Sequence, residues 1–133
     1  MNGLHLTADL HGCAATAAVM VEPSALRSLC LGAVKAAGLA AVGELFHRFD
    51  AAPGAALRAP VGITGVVLLA ESHLAVHTWP ELGAATLDVY VCNFGADNTA
   101  AAHALLDRLL AGFDAQRVER HALRRGQHAD VAA

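Results

Sequence analysis

Two runs of alternating side chains between His73 and Cys92 constrain the fold of this 133-residue chain more than any other feature. In "HLAVHTW", Leu74, Val76 and Thr78 alternate with polar, small or aromatic residues, and "ATLDVYVC" repeats the alternation after the turn "PELG". Successive side chains of a β-strand lie on opposite faces of the sheet. The pattern therefore predicts a hairpin with one aliphatic face and one polar face.

The four-residue turn "PELG" also predicts the register of this hairpin. Both polar rows then lie on the same face, which carries two His, one Asp, one Tyr and one Cys. Continuing the register places Cys92 opposite Glu71, so its thiol is predicted to lie close to the Glu71-Ser72 peptide bond. The predicted pairs are Trp79 with Ala84, His77 with Thr86, and His73 with Tyr90.

The remaining patterns predict strands and helices around the hairpin. Pro23 suits the first turn of one helix, Asp97 is the expected N-cap of another, and the stretch 50–62 predicts a long loop. The order, written βαβββαβ, predicts an α+β fold: one antiparallel sheet with two helices on one face, in a two-layer sandwich. A single domain is expected to span residues 1–133. The elements are strands at 4–10, 41–49, 63–70, 73–79, 85–92 and 116–123, and helices at 22–38 and 97–113.

Composition excludes several classes of protein. A net charge of −3 argues against a nucleic-acid partner. No apolar stretch approaches the roughly 18 residues of a membrane helix, and "MNGLHLTADLHGC" does not read as a secretory signal. The irregular spacing of the cysteines favours a reducing compartment, so a cytoplasmic location is expected. The hydrophobic content of 56% favours a second subunit.

The residues of the polar face leave three chemical interpretations open. Taken singly, His73 or His77 is most often an ordinary strand residue with one side open to water. A metal site could use both histidines with Cys92 and Asp88, but the spacing is sparse and no HExxH motif is present. Nucleophilic catalysis by Ser72 or Cys92 with His77 as base is the third, although no G-x-S-x-G motif surrounds the serine.

A family resemblance narrows this choice. "GITGVVLLAESHLAVHTWPELGAATLDVYVC" closely resembles the processing and active-site segment of the small bacterial and archaeal S-adenosylmethionine decarboxylase proenzymes, which depend on a pyruvoyl group. "HLTADLHGC" and "FHRF" match as well, so the resemblance covers most of the first 92 residues. The tail of the chain is similar only in its helix-strand pattern.

The resemblance implies that the proenzyme cuts its own chain between Glu71 and Ser72. Residues 1–71 would form the β chain and residues 72–133 the α chain. Ser72 would become a pyruvoyl group, which forms a Schiff base with the substrate amine and serves as an electron sink. On this view the enzyme needs neither a metal nor a separately bound cofactor.

Roles for five other residues follow from the same resemblance. His77 matches a histidine that assists processing, and Cys92 matches the cysteine that returns a proton to the α-carbon. Thr64 stands where a serine usually helps to position the scissile carbonyl. Glu81 matches a glutamate that holds the ribose hydroxyls, and Phe49 an aromatic residue that stacks on adenine. Two cleaved protomers are expected to pair through the polar face, with active sites at or near the interface.

The implied function is decarboxylation of S-adenosylmethionine for spermidine and other polyamine synthesis. Some positions depart from the family: Leu82 and Ala84 replace residues that are often aromatic, "VCNFG" replaces a usual TCG, and the loop 50–62 is longer than usual. An ornithine or arginine decarboxylase on the same machinery is therefore the main alternative. An unprocessed regulatory or binding homologue is another, which the presence of the serine, histidine and cysteine disfavours.

Overall fold

The computed structural model describes residues 2–51, 53–54 and 60–126. Six strands form one sheet in the order β2-β3-β4-β5-β1-β6, and every neighbouring pair is antiparallel. A short 3-10 turn, Pro80–Leu82, joins β4 to β5. The elements are β1 (Gly3–His11), α1 (Ala18–Val21), α2 (Pro23–Ala36), β2 (Ala41–Arg48), β3 (Ile63–Leu69), β4 (Ser72–Trp79), β5 (Ala84–Cys92), α3 (Thr99–Phe113) and β6 (Arg117–Arg125).

The helices pack on one face of the sheet, which confirms the predicted two-layer α+β fold. The shorthand βαβββαβ leaves out one strand, because four strands, β2 to β5, stand between the two long helices; the predicted strands at 41–49, 63–70, 73–79 and 85–92 match all four. The single-turn helix α1 was not predicted, since four residues are too few to establish a helical period. Its buried residue, Met20, joins the core.

Alternation along the strands places the core on the helix side of the sheet. β4 and β5 bury every second residue, as the sequence predicted, and the opposite rows are half-exposed except for the buried Cys92 at the end of β5. We call the helix side the covered face and the other side the open face. The covered face is aliphatic and packs against apolar residues of α2 and α3. Its fully buried large side chains include Leu6, Leu10, Ile63, Val67, Leu74 and Leu87 from the sheet and Leu26, Val34, Leu105, Leu106 and Leu109 from the helices.

Thr78 is the one polar residue buried in the described core, and both hydrogen-bonding functions of its hydroxyl are used. Its Oγ1 donates to the Met20 carbonyl at 2.8 Å and accepts from the Ile63 N–H at 2.9 Å. A buried hydroxyl with both functions satisfied avoids the cost of desolvation. Thr78 therefore ties β4 to the start of β3 and to α1.

The ends of two elements differ from the sequence expectation. α3 begins at Thr99 with Asn98 as its N-cap, one position after the predicted cap. Asp97 still acts at this end, because its Oδ1 accepts the Thr99 N–H at 2.9 Å, and that hydrogen bond lowers the pKa of its carboxyl. Residues 52 and 55–59 of the predicted loop lie outside the described residues. A backbone hydrogen bond of 2.9 Å from Phe49 N–H to Gly62 O closes its base.

Candidate active site

The Glu71-Ser72 peptide bond lies in a tight turn between β3 and β4. Leu69 pairs with Ser72, so only Ala70 and Glu71 connect the two strands. Glu71 has a φ of 56°, a left-handed conformation that costs an L-residue about 1 kcal/mol. Ala70, the first central residue, does not share this positive φ, so the link is neither of the primed turns that match the twist of a hairpin best. The predicted cut point is therefore a conformationally strained link.

Ser72 and Cys92 meet at this turn, as the predicted register required. The three predicted pairs of the β4-β5 hairpin are all observed. Beyond the last of them, the Cys92 N–H donates a hydrogen bond to Ser72 Oγ at 3.1 Å. An open cavity of about 310 Å³ lies beside them and is lined by Glu71, Tyr90, Cys92 and Phe94. The cavity offers space for a small molecule next to the serine.

Thr64 and His77 form a second cluster further along the sheet. They are direct partners on β3 and β4, and Thr64 Oγ1 lies 3.1 Å from His77 Nδ1. The Trp79 ring stacks on the imidazole, with centroids 5.8 Å apart and planes at 26°. These two contacts fix the orientation of the His77 ring. Its Nε2 is directed away from the hydroxyl that holds Nδ1.

The two clusters lie apart within one chain. Ser72 and His77 are five positions apart along β4, which corresponds to about 16 Å at the usual strand rise. The other candidate residues lie at the His77 end of the sheet. Glu81 is exposed in the 3-10 turn that follows β4, and Phe49 is half-buried just after β2. A single chain brings Cys92 to the serine but keeps Thr64 and His77 away from it.

Sequence reasoning missed a group of contacts around Tyr90. His5 Nε2 lies 2.9 Å from Asp88 Oδ1, and the His5 ring contacts the Tyr90 ring edge-on at 6.2 Å. The Arg125 guanidinium lies 5.9 Å from the Tyr90 ring centroid. These contacts join β1 to β5 and β6, whose residues are far apart in sequence. The alternation of polar and apolar residues in "LHLTADL" was the sequence signal that could have placed His5 on the polar face of the sheet.

The other two cysteines belong to the core. Cys13 and Cys30 are buried free thiols. Burial raises the pKa of Cys30 to about 12 and also raises that of Cys13, so both stay protonated at neutral pH. In the described part of the chain, no group of three or more His, Cys, Asp and Glu side chains could hold a metal ion. None of its helices is both long and apolar enough to cross a membrane.

Comparison with known proteins identifies the class. The family model for S-adenosylmethionine decarboxylase matches residues 4–126. The S-adenosylmethionine decarboxylase proenzyme of Aquifex aeolicus is 39% identical over 124 residues, covering 93% of this chain and 81% of the relative. That of Pyrococcus furiosus is 36% identical over 111 residues, covering 84% and 72%. The crystal structure of the Aquifex aeolicus adenosylmethionine decarboxylase superposes with a TM-score of 0.81 at 34% identity, covering 98% of this chain and 96% of that one.

These matches make the chain a decarboxylase. It belongs to the S-adenosylmethionine decarboxylase family, as the motif around Ser72 predicted. The structural match extends beyond the hairpin to β6, so it includes the tail in which sequence resemblance was limited to the helix-strand pattern.

Proposed function

We propose that this chain is a self-processing, pyruvoyl-dependent decarboxylase that converts S-adenosylmethionine to the aminopropyl donor of spermidine synthesis. The observation that carries the proposal is the strained Glu71-Ser72 turn with Cys92 hydrogen-bonded to the serine, in a member of this family. The relatives are named proenzymes, which supports a maturation step. The free thiols suit the cytoplasm as the compartment.

Self-cleavage uses groups that the turn already holds. The Ser72 hydroxyl attacks the carbonyl carbon of Glu71, and the peptide bond is exchanged for an ester. Loss of the Ser72 α-proton then expels the Glu71 carboxylate and leaves a dehydroalanine. Addition of water and release of ammonia turn this residue into the pyruvoyl group. Opening the turn relieves the left-handed conformation of Glu71, a contribution of about 1 kcal/mol.

The residues around Ser72 fit a pyruvoyl group at that position. The Cys92 N–H that donates to Ser72 Oγ can donate to an oxygen in the same place. The adjoining cavity of about 310 Å³ gives a substrate access. The group supplies an electron sink for loss of CO₂. Cys92 is the proposed proton donor to the α-carbon, because its thiol carries a transferable proton and the residue lines this cavity.

A second copy of the chain is proposed to complete the site. Ser72 and Cys92 lie at the β3-β4 turn, whereas Thr64 and His77 lie about 16 Å further along the sheet, so one chain cannot join them. In a two-fold dimer, each surface meets the same surface of its partner, and opposite ends of β4 can meet. Each site would combine Ser72 and Cys92 with Thr64, His77 and Glu81 of the partner subunit.

The open face has the apolar surface that such pairing needs. Its exposed large apolar side chains include Leu45, Leu68 and Leu123, with 68%, 50% and 58% of their surface accessible. The strand registers place all three on the open face, since they pair with Val66, His73 and His5. Exposed leucines around a polar centre are typical of a surface that another subunit covers.

Intact-mass analysis tests the proposed processing. The purified chain is expected to split into residues 1–71 and 72–133, the second with a pyruvoyl N-terminus, and the Ser72→Ala variant is expected to stay whole. CO₂ release should be measured in parallel from S-adenosylmethionine, ornithine and arginine. A stable uncut wild-type chain would contradict the proposal. Faster CO₂ release from ornithine or arginine would identify that amino acid as the substrate instead.

Complementation tests the shared site. Ser72→Ala and His77→Ala chains are each expected to remain uncut when expressed alone. Co-expression should yield cleavage of the His77→Ala chain, whose fragment carries its own mass, because His77 of the partner subunit serves it. About a quarter of all sites would be active if the chains pair at random. Absence of that fragment in confirmed mixed dimers would show that His77 acts only within its own chain.

A further inference from the structure

Histidines are concentrated on the open face of the sheet. Six of the eight histidines of the chain lie there, because each pairs with a residue of the open row on a neighbouring strand. In the single chain their side chains are half-exposed or exposed. They are His5 and His11 on β1, His47 on β2, His73 and His77 on β4, and His121 on β6. The surface that the proposed dimer buries is therefore rich in imidazoles, the side chains that change charge near neutral pH.

The fixed charges of the open face lie on one side of the sheet. In the six described strands, its open rows carry the carboxylates and guanidiniums of Asp9, Asp88, Glu119, Arg117 and Arg125, all on β1, β5 and β6. Several of these are already paired, since Arg117 bonds to Glu119 at 2.7 Å and Asp88 lies 2.9 Å from His5. The open rows of β2, β3 and β4, which the structure describes in full, contain no carboxylate, lysine or arginine. A protonated imidazole on those three strands has no opposite charge in the same rows.

His73 is the imidazole of β4 that the proposed chemistry does not use. On β3 its direct partner is Leu68, and the open row of that strand has no titratable side chain. On β5 its direct partner is Tyr90, whose ring centroid lies 5.5 Å from that of the imidazole. On its own strand, the nearest titratable side chain of the open row is His77. None of these neighbours is a carboxylate that could compensate a charge on His73.

The charged groups around His73 do not pair with it. Asp88, a diagonal neighbour on β5, is held 2.9 Å from an imidazole of β1, and Cys92 is the other diagonal neighbour. Arg125 of β6 reaches over the β5 tyrosine and adds positive charge to the same region. Glu71 is exposed in the adjoining turn, and none of the ion pairs among the described residues involves His73. Water is therefore what solvates a charged His73, and a second sheet would displace that water.

We propose that proton binding controls the pairing of two copies: the open faces associate while their imidazoles are neutral and separate when acid charges them, with His73 as the principal proton sensor. The inference rests on the dimer of the proposed function. Desolvation disfavours the charged form of an imidazole, so the paired state binds fewer protons than two free chains. Association is thus strongest at the top of the range of about pH 5 to 8 in which histidines titrate, and it weakens as the pH falls.

The two-fold symmetry of the dimer strengthens this dependence on pH. Such a dimer brings like surfaces together, so protons bound to one open face repel those bound to the other. Because each proposed active site combines residues of two chains, separation in acid would also stop cleavage. The chain would then assemble and mature only in near-neutral surroundings.

Fluorescence-detected sedimentation velocity of the full chain, at about pH 7.5 and about pH 5.5, tests this linkage. The wild-type protein is compared with His73→Gln, which keeps a polar side chain that cannot take up a proton. His103→Gln is the matched control, because His103 is exposed on α3, away from the open face. Near-ultraviolet circular dichroism of the single tryptophan shows whether each chain stays folded at both pH values.

The dissociation constant of the wild-type dimer is expected to rise at least about 100-fold from the higher pH to the lower, the value for one linked imidazole in each copy. The rise should shrink to less than about 10-fold in His73→Gln and keep its wild-type size in His103→Gln. A constant that does not change with pH, an equal rise in His73→Gln, or an unfolded chain at the lower pH would overturn the proposal.

Failure of the proposed function would look different. A wild-type chain that stays uncut would refute the proposed processing, and one that is cleaved while monomeric at both pH values would refute the shared site. A dimer of equal strength at both pH values that cleaves and turns over would refute only the proton linkage.

Discussion

The two faces of β4 differ in what they contribute. The covered row, Leu74, Val76 and Thr78, is fully buried and links the sheet to the helices. The open row is half-exposed, and its imidazole at His77 is held by Thr64 and Trp79. Alternation separates the two rows by a single residue step. Substitutions on the covered face should therefore change the free energy of unfolding, and those on the open face should change the rate of cleavage or turnover.

Cys92→Ala, at the serine end of the sheet, is expected to have the largest effect on chemistry. Without the thiol, protonation of the α-carbon loses its donor, and turnover should fall about 10²- to 10⁴-fold. Processing should continue, since the backbone N–H that reaches Ser72 Oγ is retained. Fragment masses and CO₂ release on the same sample measure the two steps.

Cys92→Ser is the matched control, because its hydroxyl fits the same space but is a much weaker acid. Cys92→Ser should also undergo cleavage, and its turnover should also be slow. Wild-type turnover in Cys92→Ala would refute the proton-donor role. Failure of both variants to process would instead assign the thiol to cleavage.

Leu74→Ala probes the covered face. Leu74 is completely buried, so truncation should lower the free energy of unfolding by about 2–5 kcal/mol. The neighbouring Ala75→Ser, on the open face, should change it by less than about 0.5 kcal/mol. Urea unfolding at one fixed protein concentration, in the uncut Ser72→Ala background, measures both. Equal losses from the two substitutions would contradict the division between the faces.

The sequence predicted the hairpin well because its side-chain period and turn length together allow only one register. The Cys92-Ser72 contact followed directly from that register. The separation of Ser72 from His77 was also predictable, because the two residues are five positions apart on one predicted strand, which corresponds to about 16 Å at the usual strand rise.

The contacts of β1 could not be predicted for a different reason. β1 lies between β5 and β6, so its partners are distant in sequence and neither register is fixed by a turn. The His5-Asp88 pair and the Arg125 contact with Tyr90 depend on those two registers. Helix α1 was not predicted because four residues are too few to show a helical period. The missed features are those that long-range pairing or very short segments determine.

Thr64→Val is expected to have the smallest effect, and it tests how the open face holds His77. Valine preserves the shape of threonine but removes the Oγ1 that lies 3.1 Å from His77 Nδ1. Loss of one hydrogen bond of about 1–1.5 kcal/mol should slow cleavage roughly 10-fold. The time course of fragment appearance by intact mass measures the rate. Thr64→Ser keeps the hydroxyl and should cleave at nearly the wild-type rate. If valine and serine slow cleavage equally, the hydroxyl does not orient the imidazole, and stacking on Trp79 alone must hold it.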